Sequence, residues 1–171
     1  MRVLGVDPGL TRCGVGVIEG TPAKPRLVAC GVIQTPPDMP HEFRLVRIEE
    51  GLAEWFDKYQ PDRAAVERVY ADLNVLSVMG TAQAAGLAQI AAAKRGIPVT
   101  LHTPTEVKAA ITGSGRAAKA QIGAMVTKIL KLSETPKPAD AADAVALAIC
   151  HLWRGSANQR IEEALAKAGK K

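Results

Sequence analysis

Aromatic and cysteine residues are scarce in this chain. Aromatic side chains make up 4% of its 171 residues, and only three residues are cysteines. An odd number of cysteines without metal-binding spacing argues against a disulfide framework and indicates free thiols in a reducing compartment, the cytoplasm. The N-terminal segment has a charge at Asp7 and no apolar stretch of the length of a signal-peptide h-region, so we expect no secretory signal. Because aromatic rings are few, Ala, Val, Leu and Ile have to fill the core.

Charge is missing from residues 73–93, a stretch long enough to cross a bilayer. The stretch contains several amide and hydroxyl side chains, and much of the remainder is Ala and Gly, so it is too polar for a membrane span. The length of the chain fits a single domain with a real core. We predict one domain over residues 1–155 and a basic C-terminal tail over residues 156–171 that is partly helical or frayed.

Acidic residues are absent from residues 107–133, which contain five basic side chains. The whole chain has a formal net charge of +5, so the remaining residues together sum to zero. Such a one-sided distribution indicates an anionic polymer as the partner, and nucleic acid fits better than a solvated surface rich in Lys. The basic residues are Lys108, Arg116, Lys119, Lys128 and Lys131.

The first turn of the chain carries a carboxylate. Val3–Val6 is an apolar run typical of a buried strand, and it ends in the turn sequence Asp7-Pro8-Gly9. The next strand, Cys13–Ile18, has Gly14 and Gly16 on one face, where another group could approach the backbone closely. Nucleases of the RNase H type begin this way, but so do actin-like ATPases and sugar kinases. An Asp before Pro-Gly is also a common turn residue.

Strands and helices alternate after this hairpin. We predict a third strand over 26–33, an amphipathic helix over 41–59 and a fourth strand over 63–67. A strand–helix–strand unit implies that the fourth strand pairs in parallel with the first. Both strands then end at the same edge of the sheet, where open α/β sheets place their sites, so Asp7 and Glu67 should lie side by side. A fifth strand is predicted over 97–101.

The long helix predicted over residues 75–95 has apolar residues around most of its circumference. A helix of this kind is buried on all sides. In so short a chain one of its faces should contact a second subunit, so we predict a homodimer in preference to a central core helix. Gly80 and Ala84, one turn apart, would permit a close helix contact there.

Two carboxylates share one face at the start of the last helix. Asp140 and Asp143 are three residues apart, and the rest of that helix, expected to end near Trp153, is almost purely apolar. Asp is common at this position because it caps the helix and interacts with the helix dipole. One Asp suffices for that purpose, however, and two adjacent ones repel each other. Together with Asp7 and Glu67 they would bring four acids to one edge of the sheet.

Four adjacent carboxylates cannot all stay ionised without cations between them. Ligand sets made only of oxygen atoms select hard ions such as Mg²⁺ or Mn²⁺. Two such ions, roughly 4 Å apart, stabilise both the attacking and the leaving oxygen when a phosphodiester is cleaved. The sequence therefore predicts a metal-dependent phosphodiesterase site.

Four motifs, in order and spacing, resemble the RuvC family of bacterial Holliday-junction resolvases. The resemblance implies an α/β, RNase H-like fold: a five-stranded mixed sheet of order 3-2-1-4-5 flanked by helices. It also implies a homodimer that makes paired, symmetric nicks across a four-way DNA junction, leaving 5′-phosphate ends, with a RuvA–RuvB branch-migration complex as partner. The motifs are G-V-D-P-G at 5–9, V-E-R-V-Y at 66–70, V-K at 107–108 with G-S-G-R-A-A-K at 113–119, and D-A-A-D-A at 140–144.

The resemblance also implies roles for single residues. Tyr70 matches an aromatic residue that stacks on a base near the crossover, and Lys108 and Lys119 match basic residues near the scissile phosphate. Arg68 and Arg116 are weaker matches to phosphate contacts. The family often has G-Q-A-R-G in the long helix, where this chain lacks the Arg. The residues matching the catalytic, metal-binding acids, for two Mg²⁺ or Mn²⁺ ions per site, are Asp7, Glu67, Asp140 and Asp143.

Three other functions compete with this reading. An RNase H-like nuclease acting on RNA or another nucleic acid would have the same fold, but the Asp140–Asp143 pair, Tyr70 and the apolar helix argue against it. A non-catalytic junction-binding module would gain nothing by placing four carboxylates near phosphates. An actin-like ATPase needs a second domain of similar size, for which the chain is too short.

Overall fold

The computed structural model describes the backbone of residues 1–70 and 75–168, and the side chains of residues 1–70 and 78–155. The described residues form one five-stranded sheet and five helices. In chain order they are β1 (Arg2–Asp7), β2 (Arg12–Thr21), β3 (Lys24–Gln34), α1 (His41–Tyr59), β4 (Arg63–Glu67), α2 (Val75–Ala93), β5 (Val99–His102), α3 (Pro104–Thr112), α4 (Lys119–Leu130) and α5 (Ala139–Ala168).

The strand order in the sheet is β3-β2-β1-β4-β5. The three N-terminal strands pair in antiparallel fashion, while β4 and β5 run parallel to β1, so the sheet is mixed. The register pairs Val6 of β1 with Val66 of β4. The residues that follow, Asp7 and Glu67, therefore emerge at the same edge, as the strand–helix–strand pattern predicts. The predicted fold and strand order are both confirmed.

Helices cover both faces of the sheet, and β1 contributes alternate side chains to each side. Leu4 and Val6 point towards α1 and α2, whereas Val3 points into the cluster formed by α3, α4 and α5. This alternation follows from the two-residue period of a strand. Small and aliphatic residues fill both cores, and Phe56 is the largest fully buried side chain among the described residues.

Glycines on β1 and β2 let α5 lie directly on the sheet. A Cβ atom at Gly5 would lie 2.1 Å from the Ala144 carbonyl oxygen, and one at Gly14 would lie 2.1 Å from the Asp140 carbonyl oxygen. The space predicted beside the first hairpin is thus filled by a helix of the same chain. The consequence is that the start of α5, with its two Asp residues, is held against the end of the β1–β2 hairpin.

Two helices differ from the predictions. The last helix is predicted to end near Trp153, but α5 continues to Ala168. The face of α2 that bears Gly80 and Ala84 points into the protein and not towards a second subunit: Gly80 packs on Leu10, and Ala84 is fully buried. The apolar side chains that α2 exposes are on its other side and include Met79 and Ile90. The helix has apolar residues all round, and only the fold decides which of them face outwards.

Other boundaries agree to within two or three residues, as fraying helix ends allow. The capping box at the start of α3 is present: Thr103 Oγ1 accepts from the Glu106 amide, and the Glu106 carboxylate accepts from the Thr103 amide. Residues 71–74 of the predicted polar loop lie outside the described residues. Within the described part of the chain, no helix has the length and hydropathy to cross a bilayer. The boundary of the domain at residue 155 stays a prediction.

Candidate active site

Three elements bring the four predicted carboxylates to one edge of the sheet. Asp7 is the last residue of β1, and Glu67 is the last residue of the neighbouring parallel strand β4. Asp140 and Asp143 lie in the first turns of α5, which the glycines of β1 and β2 hold close to this edge. The proximity of residues far apart in sequence is thus a result of strand register and of close helix packing.

A cleft of about 180 Å³ opens between these elements. Three of the acids and two lysines line it, and apolar side chains from α3, α4 and α5 form the remaining wall. Asp140 is not among the lining residues. The charged residues of the cleft are Asp7, Glu67, Lys108, Lys119 and Asp143, and the others are Pro104, Val107, Ile122 and Ala146.

Asp7 is the most strongly perturbed acid of the cleft. The pKa of its carboxyl group is raised from 3.8 to about 8, chiefly by burial and then by the negative charges of Glu67, Asp143 and Asp140, in that order. Lys119 acts in the opposite direction but does not compensate. Asp7 is therefore a carboxyl group that the fold places where its negative charge is poorly stabilised, which is typical of a functional site.

Glu67 is perturbed in the same direction. Burial is the main reason that the pKa of Glu67 is raised, the charge of Asp143 adds to it, and Lys119 and Lys108 lower it. Lys119 in turn has a raised pKa because its ammonium group donates to Asp143. The predicted basic residues Lys108 and Lys119 therefore act on the carboxylates of the cleft, and the structure brings them together with three of the acids.

Two ion pairs hold the acids of α5. Lys119 Nζ lies 3.0 Å from Asp143 Oδ2, and Arg12 Nε lies 2.6 Å from Asp140 Oδ2. The sequence analysis did not identify Arg12, which begins β2 and is 128 residues from Asp140 along the chain. The alternation of side chains along β2 was the available signal, since Arg12 shares a face with Gly14 and Gly16.

A metal ion has suitable donor types here, since every candidate ligand is a carboxylate oxygen and Lys119 compensates the charge of Asp7 only in part. Among the described residues, however, no three His, Cys, Asp or Glu side chains are arranged closely enough to hold one ion. Arg12 and Lys119 bind two of the four carboxylates instead. The donor chemistry fits a hard divalent cation, and the positions of the individual ligands around it stay a prediction.

The remaining predicted residues lie outside the lining of the cleft. Tyr70 follows β4, and 54% of its surface is exposed. Arg68 is exposed, and its backbone amide donates to the His102 carbonyl at 2.8 Å. Arg116 is exposed in the loop before α4. Their predicted roles in DNA binding therefore concern a surface around the cleft and not the cleft itself.

A mixed five-stranded sheet of this order, with acids at the ends of its two central parallel strands, defines an RNase H-like nuclease fold. The model of the family described as "Crossover junction endodeoxyribonuclease RuvC" matches residues 3–151. The chain belongs to the RuvC family.

Individual relatives agree with this assignment. The chain is 62% identical to the crossover junction endodeoxyribonuclease RuvC of Streptomyces avermitilis over 167 residues, 97% of this chain and 95% of that relative. It is 64% identical to the protein of the same name from Cutibacterium acnes over 166 residues, 96% of this chain and 85% of that relative. The solved structure of T. thermophilus RuvC in complex with Holliday junction substrate is 35% identical with a TM-score of 0.86, and the match covers 91% of this chain and 94% of that one.

Proposed function

We propose that this protein is a structure-selective DNA endonuclease that resolves four-way junctions by paired, symmetric nicks in recombination and repair. The observation that carries the proposal is the cleft at the end of β1 and β4, in which three carboxylates and two lysines converge. Phosphodiester hydrolysis needs negative groups that hold cations and positive groups that stabilise phosphate charge, and the cleft has both. Family membership over almost the whole chain supports the junction as the substrate.

We infer that two divalent cations, Mg²⁺ or Mn²⁺, bind at this site. Asp7, Glu67, Asp140 and Asp143 would hold them, since these are the carboxylates that the fold gathers at the edge of the sheet. The raised pKa of Asp7 supports this inference, because a bound cation would remove the cost of its buried charge. When bound, the ions supply an activated water and stabilise the departing 3′ oxygen, which leaves a 5′-phosphate.

The residues of the protein have separate tasks in this scheme. Lys119 is the first residue of α4 and pairs with Asp143. Because 78% of its side chain is exposed, its ammonium group can turn from the carboxylate towards a DNA phosphate. Lys108, on α3, stabilises negative charge at the other side of the cleft, where it already lowers the pKa of Glu67.

DNA binding extends beyond the cleft in this proposal. The positive charge of residues 107–133 supplies salt-dependent affinity through phosphate contacts, to which Arg116 belongs. Tyr70 is exposed and can stack on a base, and Arg68 lies two residues before it. These residues surround the cleft on the β4 and α4 sides, so they can contact strands that leave the scissile phosphate.

We also propose a homodimer, because a two-fold axis would match the symmetry of the junction and place two active sites for paired cuts. The apolar side chains that α1 and α2 expose support it: Phe43 is 58% exposed, Val46 50%, Met79 57% and Ile90 49%. An exposed apolar surface on two adjacent helices is typical of a subunit interface. Family membership alone supports a RuvA–RuvB complex as a further partner. The free thiols of Cys13, Cys30 and Cys150 support a location in a reducing compartment, which we propose is the cytoplasm.

Cleavage mapping on three substrates tests the proposal. The protein is incubated with a synthetic four-way junction, a duplex of the same sequence and an RNA–DNA hybrid, each with Mg²⁺ or Mn²⁺. We expect paired, symmetric nicks with 5′-phosphate ends on the junction only, and tight binding without cleavage for Asp7→Asn. Cleavage of the RNA–DNA hybrid instead of the junction would show that the protein is an RNase H-like nuclease with a different substrate. Junction binding without cleavage in either Mg²⁺ or Mn²⁺ would show that the protein is a non-catalytic junction-binding module.

A further inference from the structure

Arg12 is a charged residue at the edge of the active site for which the proposed function has no role so far. Its side chain shares a face of β2 with Gly14, and the missing Cβ of Gly14 lets the backbone of Asp140 approach within van der Waals distance. The start of α5 thus lies directly beyond Arg12. The guanidinium group reaches the Asp140 carboxylate, with a distance of 2.6 Å from Nε to Oδ2.

The contact uses only one oxygen of the carboxylate. Among the described residues, no hydrogen bond to Asp140 Oδ1 is found, so one oxygen is fixed by Arg12 and the other is available. Arg12 is not among the groups that influence the pKa of Asp7, whereas Lys119 is. The direct contact of Arg12 is thus with Asp140, whereas the cation that lowers the pKa of Asp7 is Lys119.

We propose that Arg12 is a positioning residue that orients Asp140 for divalent cation binding, an inference that rests on the proposed metal-dependent function. The planar guanidinium group fixes the direction of a carboxylate more strictly than an ammonium group does. Groups that hydrogen-bond to a metal-binding carboxylate typically change metal affinity by about 10- to 100-fold when they are removed. Exposed ion pairs of this kind add little to stability, so an effect on metal binding is separable from an effect on folding.

The test uses Mn²⁺ alone as the probe, with binding to the DNA-free protein followed by the loss of the free-ion electron paramagnetic resonance signal. Arg12→Gln should weaken Mn²⁺ binding by about 10-fold, and the Mn²⁺ concentration for half-maximal junction cleavage should rise by a similar factor. Arg12→Lys, which keeps the charge, should restore only part of the affinity. The thermal midpoint without metal should stay at the wild-type value. Arg26→Gln is the matched control, because Arg26 also pairs with a carboxylate, Glu19, but lies far from the cleft.

Four results would overturn the role of Arg12. Unchanged Mn²⁺ binding in Arg12→Gln would show that the ion pair is a surface contact without a role in metal binding. Tighter Mn²⁺ binding would show that Arg12 competes with the metal for Asp140. Weaker junction binding with normal Mn²⁺ affinity would show that Arg12 contacts a DNA phosphate. Full recovery of Mn²⁺ affinity in Arg12→Lys would show that the positive charge, and not the geometry of the guanidinium group, is responsible. Asp140→Asn distinguishes failure of the Arg12 role from failure of the proposed metal site. If Asp140→Asn binds Mn²⁺ normally, Asp140 is not a ligand and the proposed metal site is wrong. If Asp140→Asn binds Mn²⁺ poorly while Arg12→Gln binds it normally, only the proposed role of Arg12 is wrong.

Discussion

Asp7→Asn is expected to stabilise the metal-free protein while abolishing cleavage. Asp7 lies at the end of the central strand with its carboxyl group largely buried and with three other acids nearby, which raises its pKa to about 8. Asn has the same shape and no charge. The substitution therefore removes the cost of keeping this carboxyl group protonated at neutral pH, and it leaves no cavity. The gain in the free energy of unfolding measures how strongly the fold disfavours the ionised group.

The magnitude follows from the pKa values of the folded and unfolded states. Each pH unit between the ordinary value of 3.8 and the solution pH costs the folded protein about 1.36 kcal/mol, up to its own pKa of about 8. At neutral pH the limiting cost is about 4 kcal/mol, and relaxation around the group reduces it, so we expect a gain of about 2 kcal/mol. For a chain of this size, that corresponds to a rise of roughly 4–8 °C in the melting temperature.

The sign of the pH dependence distinguishes this mechanism from a simple packing effect. The unfolded state releases the Asp7 proton above its ordinary pKa, whereas the folded state keeps it up to about pH 8, so wild-type stability falls as the pH rises across this window. The advantage of Asp7→Asn should therefore be large at about pH 7 and small at about pH 4, because near its ordinary pKa of 3.8 the unfolded state also takes up the proton. Urea unfolding of the wild type and of Asp7→Asn at each pH, in the presence of a chelator, measures the difference in stability.

Equal or lower stability of Asp7→Asn at neutral pH, or a gain that persists at acid pH, would contradict the reasoning. Asp38→Asn is the matched control, because Asp38 is an exposed loop residue and its substitution should change little. Addition of Mn²⁺ should reverse the order of the two proteins, because a ligand that binds only the folded wild type raises its stability.

Three further predictions concern other parts of the structure. Gly14→Ala would place a Cβ atom 2.1 Å from the Asp140 carbonyl oxygen and should cost about 1–3 kcal/mol in urea unfolding, unlike Gly86→Ala, whose Cβ meets nothing within 4 Å. Lys119→Ala should lower the rate of single-turnover junction cleavage by roughly 100-fold while stability stays unchanged. Cleavage at the wild-type rate would show that Lys119 has no role in the reaction. Ile90→Glu should convert a dimer to a folded monomer in sedimentation, and a variant that remains dimeric would place the interface elsewhere.

Local sequence patterns predicted the elements that build the site. The apolar run before Asp7, the strand–helix–strand unit that ends at Glu67 and the Thr103–Glu106 capping box all have short-range causes, and the structure contains each of them. The crossover makes the two strands parallel, so both end at the same edge of the sheet, which is why the proximity of Asp7 and Glu67 was predictable without coordinates. The order and spacing of the motifs likewise indicated the family.

The tertiary structure alone decided how helices are rotated and which charges meet. An α2 helix with apolar residues on every side gives no periodic signal, so only packing against Leu10 and the core places Gly80 and Ala84 inside and leaves Ile90 exposed. The pairing of Arg12 with Asp140 depends on two elements 128 residues apart. The periodicity of a strand or helix depends on residues close together along the chain, so it can be predicted from the sequence alone. The rotation of a helix and the partner of a charge are set by long-range packing, which no local pattern encodes.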